Sequence, residues 1–244
     1  MARARRGFRT LEIALLALLL SVPWTVQLEA GGRDLRRLLQ SLELSGPGVS
    51  RWLSALGVDG TDTRQERLIA VTSRGVVVGR IVGSDFGVTV APELMARLDE
   101  PGADVVLVHN HPTSSSLSWA DLSFLTKPGV TAVVAVGHDG SVYAAMRGRR
   151  FACERVSRLV YQRAADAARK TLDFEMQISS SLHEGVNLLQ YLTHVMADTL
   201  RWQRVIEYRA VMAPERQARY SAHRDLFEGS LAARVAAILS RPTS

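Results

Sequence analysis

Three residues within one short stretch have the types and spacing of a metal site. His109 and His111 stand two apart in Leu107-Val108-His109-Asn110-His111-Pro112, and Asp121 follows shortly after. A catalytic zinc takes about three protein ligands from nitrogen and oxygen donors and keeps one position open for water. In extended chain, residues i and i+2 point to the same side. Both imidazoles can therefore reach one ion at the exit of a strand. Pro112 and the run Thr113-Ser114-Ser115-Ser116 turn the chain back. A helix starting at Ser118 then carries Asp121 on its first turn toward the strand end, as a third ligand.

Ser118-Trp119-Ala120-Asp121 also fits a helix start in which a serine caps and an acid three residues on reciprocates. The two roles are compatible. A capped turn holds Asp121 rigidly, as a ligand requires, and the Ser118 hydroxyl is a candidate donor to a developing oxyanion. A pair of histidines near a turn is equally common as ordinary hydrogen-bonded residues, so the pattern alone leaves both readings open. Hydrolysis needs a general base as well. Glu66, just before the first apolar run of the core, is the candidate, although most glutamates are solvated surface residues.

The elements that must position these residues follow from periodicity. Leu68–Thr72 and Val76–Val82 read as two strands joined by a Ser73-Arg74-Gly75 turn. Ala91-Pro92-Glu93 opens a helix to about Leu98, with proline at an early position. Asp104–His109 reads as a buried strand, Ser118–Leu125 as a helix and Val130–Val136 as a second buried strand. Asp139-Gly140 is a hairpin turn into Ser141–Met146. Strands mixed with helices imply an α/β class, with a mixed sheet and flanking helices. Three segments are expected: an N-terminal helical segment over 1–57, a core over 58–147 and a helical C-terminal extension over 148–244.

The flanks differ from the core in charge. Residues 1–57 carry 8 basic and 4 acidic groups, a balance of +4; 58–146 carry 6 and 10, or −4; 147–244 carry 16 and 10, or +6. The acidic centre argues against nucleic-acid binding by the core. Basic flanks suit nucleic acid, a membrane surface or an acidic protein, but arginines scattered among acids also describe ordinary solvated helix faces. Residues 1–30 combine Arg3, Arg5, Arg6 and Arg9 with an apolar run from Leu11 to Leu20. That is the pattern of an export signal or anchor, although Glu12 and the absence of a small-x-small site fit a buried helix. The expected localisation is cytoplasmic, with export or membrane anchoring through residues 1–30 as the alternative.

Other residues with chemical potential have simpler readings. His138 precedes a turn, and His183, His194 and His223 are scattered over the tail without partner spacing. The single cysteine, Cys153, rules out an internal disulfide and is expected as a small buried hydrophobe. Trp119 either lines a substrate groove or covers the helix start. The Pro-Cys-x-x-Cys element of the zinc deaminases does not occur. The letters His109-Asn110-His111 match the HNH nucleases by coincidence, since those nucleases disperse the three residues over a larger unit.

Three stretches together resemble the JAMM (MPN-plus) metalloproteases. Gln65-Glu66-Arg67-Leu68-Ile69-Ala70 looks like the glutamate-bearing first strand of that family. Leu107-Val108-His109-Asn110-His111-Pro112 looks like its metal-binding strand end, with wording closest to bacterial RadC-like proteins. Ser118-Trp119-Ala120-Asp121-Leu122 looks like its Ser-x-x-Asp element. The interval from His111 to Ser118 is one residue shorter than in the eukaryotic deubiquitinases and is similar to bacterial and phage relatives. The resemblance covers residues 64–147. It implies a JAMM-like fold in which His109, His111 and Asp121 hold Zn2+. Glu66 would take a proton from the attacking water and return it to the leaving amine, and Ser118 would stabilise the oxyanion. The implied function is a zinc metallopeptidase or isopeptidase, whose partner is a protein or peptide substrate, including a ubiquitin-like conjugate. The alternative is a non-enzymatic MPN-like or RadC-like scaffold that binds a protein or nucleic-acid partner through its basic helical flanks.

Overall fold

A computed structural model describes residues 32–42, 48–58, 64–84, 87–178 and 188–240. The signal-like segment 1–30 and His183 lie outside the described residues. The chain divides into two units, Met1–Asp34 and Leu35–Ser244, and the second holds the sheet.

Six strands form one mixed sheet in the order β2-β1-β3-β4-β5-β6. They are β1 (Arg67–Thr72), β2 (Val77–Val82), β3 (Val105–His111), β4 (Val130–Gly137), β5 (Val142–Arg147) and β6 (Ile206–Val211). All pairs are antiparallel except β3 with β4, which run parallel. Parallel neighbours need a crossover. It is supplied by the short helix over Trp119–Ser123 and a single 3-10 turn at Phe124–Thr126.

The valine-rich sequence of β3 and β4 suits strands covered on both faces. Alternation sends their side chains to two separate cores. On one face, Leu68, Ala70, Leu107, Val133, Ala135, Tyr143 and Ala145 pack under helices from the middle and C-terminal parts of the chain. On the other, Ile69, Val71, Val106, Val108, Val134 and Ala144 pack against Leu38, Leu39, Leu42 and Leu56. Those leucines come from α1 (Gly32–Ser41), α2 (Gly48–Ala55) and their ends. The result is a helix–sheet–helix sandwich. Each fully buried leucine contributes roughly 1.5–3 kcal/mol.

The middle helices are α3 (Pro92–Leu98) and α4 (Trp119–Ser123); the later ones are α5 (Arg158–Ile178), α6 (Leu192–Trp202), α7 (Pro214–Ala222) and α8 (Ala232–Leu239). None of the described helices is long and apolar enough to cross a membrane.

Two expectations are corrected. The 148–244 stretch is not purely helical: Ile206–Val211 pairs with β5 along its whole length and extends the sheet by one strand. Ile206 and Tyr208 face the core while Glu207 and Arg209 are partly exposed, which is a strand alternation. Cys153 is exposed and free rather than buried. It opens a 3-10 turn over Cys153–Val156 in which Val156 takes the inward position.

Candidate metal centre

Strand parity sets up the site. Leu68 of β1 lies opposite His109 of β3, and directly opposed residues share a face. Glu66 lies two residues before Leu68, and His111 two residues after His109. All three therefore project on the face that α4 covers. Asn110 projects to the other face.

Helix α4 supplies the last member. Ser118 caps it with its side chain accepting from the Asp121 amide, at 3.3 Å. Asp121 reciprocates, its Oδ2 accepting from the Ser118 amide at 2.6 Å. The capping box is thus complete, and its acid points back at the strand end. Leu122 is buried in the core behind it.

Glu66, His109, His111 and Asp121 bring one donor atom each to within 4.8 Å of one another. The two Nε2 atoms are 2.9 Å apart. Asp121 Oδ1 is 3.0 Å from His109 Nε2, and its Oδ2 is 3.5 Å from His111 Nε2. Ligand atoms around a tetrahedral ion sit about 3.4 Å apart when each is about 2.1 Å from the centre. The observed separations bracket that value. Glu66 Oε1 stands further off, 3.9 Å from His109 Nε2.

The protonation states suit a cation. His111 Nδ1 lies 2.8 Å from the Ser115 carbonyl. A carbonyl only accepts, so Nδ1 carries the proton and Nε2 offers its lone pair to the centre. His109 Nδ1 is buried with no partner. Burial alone would push the Asp121 carboxyl upward, but the two imidazoles outweigh it and hold it well below the usual carboxylate range. Burial likewise disfavours a charged His111. The Asp121 carboxylate, the Ser115 carbonyl and Glu66 together outweigh it, so the His111 pKa lies above its usual value. Two buried imidazole nitrogens and an ionised carboxylate can hold a metal ion.

Exposure separates the four. The side chains of His109, Asp121 and His111 are 2%, 9% and 10% exposed, against 20% for Glu66. Three groups are enclosed, and the fourth is partly open to solvent.

The turn between His111 and Ser118 is tied down residue by residue. Ser114 adopts a left-handed φ of 55°, closed by its amide to the His111 carbonyl at 2.8 Å. Its hydroxyl accepts from the Asp139 amide at 3.0 Å. Gly137, opposite His111 on β4, lets this turn approach: a Cβ there would lie 3.0 Å from Ser114 Cα. Trp119 covers the helix start, donating its indole N–H to the Val156 carbonyl at 3.0 Å under the guanidinium of Arg158.

Of the five residues singled out from the sequence, Glu66, His109, His111 and Asp121 come together at this strand end, and Ser118 caps the helix beside it. His194 and His223 lie on or beside C-terminal helices and His138 in the β4–β5 turn, none of them in the cluster. Sequence reasoning missed two supports. One is the Ser115 carbonyl, which carries no signal in its residue type. The other is Asn110, fully buried at the end of the β3 row that runs through Val106 and Val108; a polar amide following those valines was a visible signal.

Comparison of the chain with protein-family models, with curated proteins and with solved structures gives no significant match.

Proposed function

We propose that this chain is a zinc-dependent metallopeptidase or isopeptidase of the JAMM type, acting on a protein or peptide. The observation that carries the reading is the enclosed set of His109, His111 and Asp121, with the Glu66 carboxylate standing 3.9 Å from His109 Nε2 on the solvent side. Borderline zinc favours imidazole nitrogen with one carboxylate, whereas calcium and magnesium favour all-oxygen sets. His109, His111 and Asp121 would hold the ion. When bound, zinc would polarise the scissile carbonyl and bring the pKa of water to roughly 7.

The chain's own groups do the rest. Glu66 takes the proton of the attacking water and passes it to the leaving amine. Ser118, at the head of α4, donates its hydroxyl to the oxyanion while its oxygen continues to accept from the Asp121 amide. The Ser115 carbonyl keeps His111 in the ligating tautomer.

Metal analysis of freshly purified protein, followed by cleavage assays, tests this. The substrates are a quenched-fluorescence peptide mixture and lysine-linked ubiquitin-like conjugates. Wild type is expected to carry about one zinc per chain and to cleave one of these classes. Glu66→Gln is expected to keep the zinc and lose turnover by roughly 100-fold or more. A chain that neither retains nor takes up zinc sinks the reading and leaves a non-enzymatic scaffold.

A further inference from the structure

We propose that Asn110 is the positioning residue for Glu66: its side-chain amide bonds the backbone on both sides of that glutamate and thereby holds the carboxylate beside the histidines. The mechanistic consequence rests on the peptidase reading above.

The geometry is specific. Asn110 Oδ1 accepts from the Arg67 amide at 2.6 Å, and Nδ2 donates to the Gln65 carbonyl at 3.1 Å. Arg67 and Gln65 are the two neighbours of Glu66. The amide cannot be flipped, since an N–H only donates and a carbonyl only accepts. The remaining Nδ2 proton goes to His138 Nε2, at 3.0 Å. The side chain is thus anchored at three points.

These bonds stand where the strand ladder stops. β1 and β3 pair from Leu68 opposite His109 to Thr72 opposite Val105. Just beyond Leu68, the Asn110 side chain takes over as the bridge from β3. On the other side, the Glu66 amide donates to the Ser84 carbonyl at 3.2 Å, and the Glu66 carbonyl accepts from the Gly83 amide at 2.8 Å. The segment is therefore held from both flanks. A glutamate in front of a strand would otherwise sit on a fraying end.

A packing role does not account for the residue. The row of β3 that holds Asn110 continues as Val108 and Val106 in the apolar core. An amide buried there costs free energy unless its groups are paired. Two of its three pairs go to the backbone around Glu66 and the third to His138, and none reaches a ligating atom of the cluster. A displacement of about 1 Å in a reacting group is enough to lower turnover about 100-fold.

The test is a double-mutant cycle on the full chain, with Asn110→Ala, Glu66→Gln and both together. Zinc content, turnover of the peptide mixture and the visible absorption of the cobalt-substituted protein are read for each. Asn110→Ala is expected to keep one zinc per chain and lower kcat roughly 10- to 100-fold at unchanged KM. In the Glu66→Gln background it is expected to change neither turnover nor spectrum further. Asn110→Asp, which keeps the acceptor for Arg67, should recover part of the loss. Two results overturn the inference: a loss that is fully additive with Glu66→Gln, or loss of zinc from Asn110→Ala, which would make the amide a support for the ligands instead. If a zinc-loaded wild type cleaves no substrate, the peptidase reading fails. The cobalt spectra then decide the inference by the same additivity.

Discussion

Ser116 Oγ and the phenol oxygen of Tyr208 lie 2.6 Å apart, although 92 positions separate them in the chain. Tyr208 OH is also 2.8 Å from His194 Nδ1. Burial pushes His194 down to a pKa of about 4, so at neutral pH the ring is uncharged. The Tyr208 hydroxyl thus bridges Ser116 and His194. Nearby, Tyr161 OH donates to the Leu117 carbonyl at 3.4 Å and Arg216 to the Thr113 carbonyl at 3.2 Å. The turn between the ligands is thus held by α5, β6 and α7. The C-terminal part of the chain is a support of the candidate site.

Tyr208→Phe is expected to destabilise the protein by about 1–3 kcal/mol. It removes one hydroxyl and strands both the Ser116 hydroxyl and His194 Nδ1 in a buried setting. Urea denaturation of the metal-free protein measures this. An unchanged midpoint would show that the bond carries no stability.

Stability is expected to fall with acid before the carboxylates titrate. The folded-state pKa of His194, about 4, lies below its ordinary value of 6.5. The unfolded chain therefore binds the proton first. The contribution is present above pH 6.5 and is lost as the pH falls toward 4. Allowing for the ring's partial exposure, it is worth about 2 kcal/mol. Thermal midpoints between pH 7.5 and 4.5 should decline more steeply for wild type than for His194→Gln. Parallel curves would reject the assignment.

Asp121→Asn is expected to abolish metal-linked stabilisation. The substitution keeps the shape and removes the charge that both imidazoles face. Zinc at 100 times its Kd should stabilise wild type by about 2.7 kcal/mol. The check is the shift in Tm on adding zinc, which should be absent in the variant.

Ser118 combines two roles that a pair of variants can separate. Ser118→Ala removes the cap and is expected to cost about 1 kcal/mol, together with at least a tenfold loss of turnover. Asparagine caps helices as well as serine does, but brings no hydroxyl. Ser118→Asn should therefore recover the stability and not the turnover, measured by denaturation and cleavage side by side. Recovery of both would assign Ser118 to the cap alone.

Much of the centre was legible because its rules are local. That His109 and His111 share a side follows from strand alternation, and that Asp121 sits on a first turn follows from the capping pattern at Ser118. Neighbouring residues carry that information. The α/β class and five of the six strands were readable for the same reason. β6 was hidden by its setting: Ile206, Tyr208 and Ala210 alternate with Glu207 and Arg209, but the run lies between helical stretches with no hairpin partner beside it in the sequence.

What only the tertiary structure decided is pairing. No local pattern says that β1 runs antiparallel beside β3 with Leu68 opposite His109. A slip of one residue would have sent Glu66 to the opposite face. Nor does one segment reveal that Asn110 would reach back to Gln65 and Arg67, or Tyr208 to Ser116. The sequence by itself determined which side chains were available and which way each faced on its own element. The register between strands, set by burying both faces of the sheet at once, decided which of them would meet.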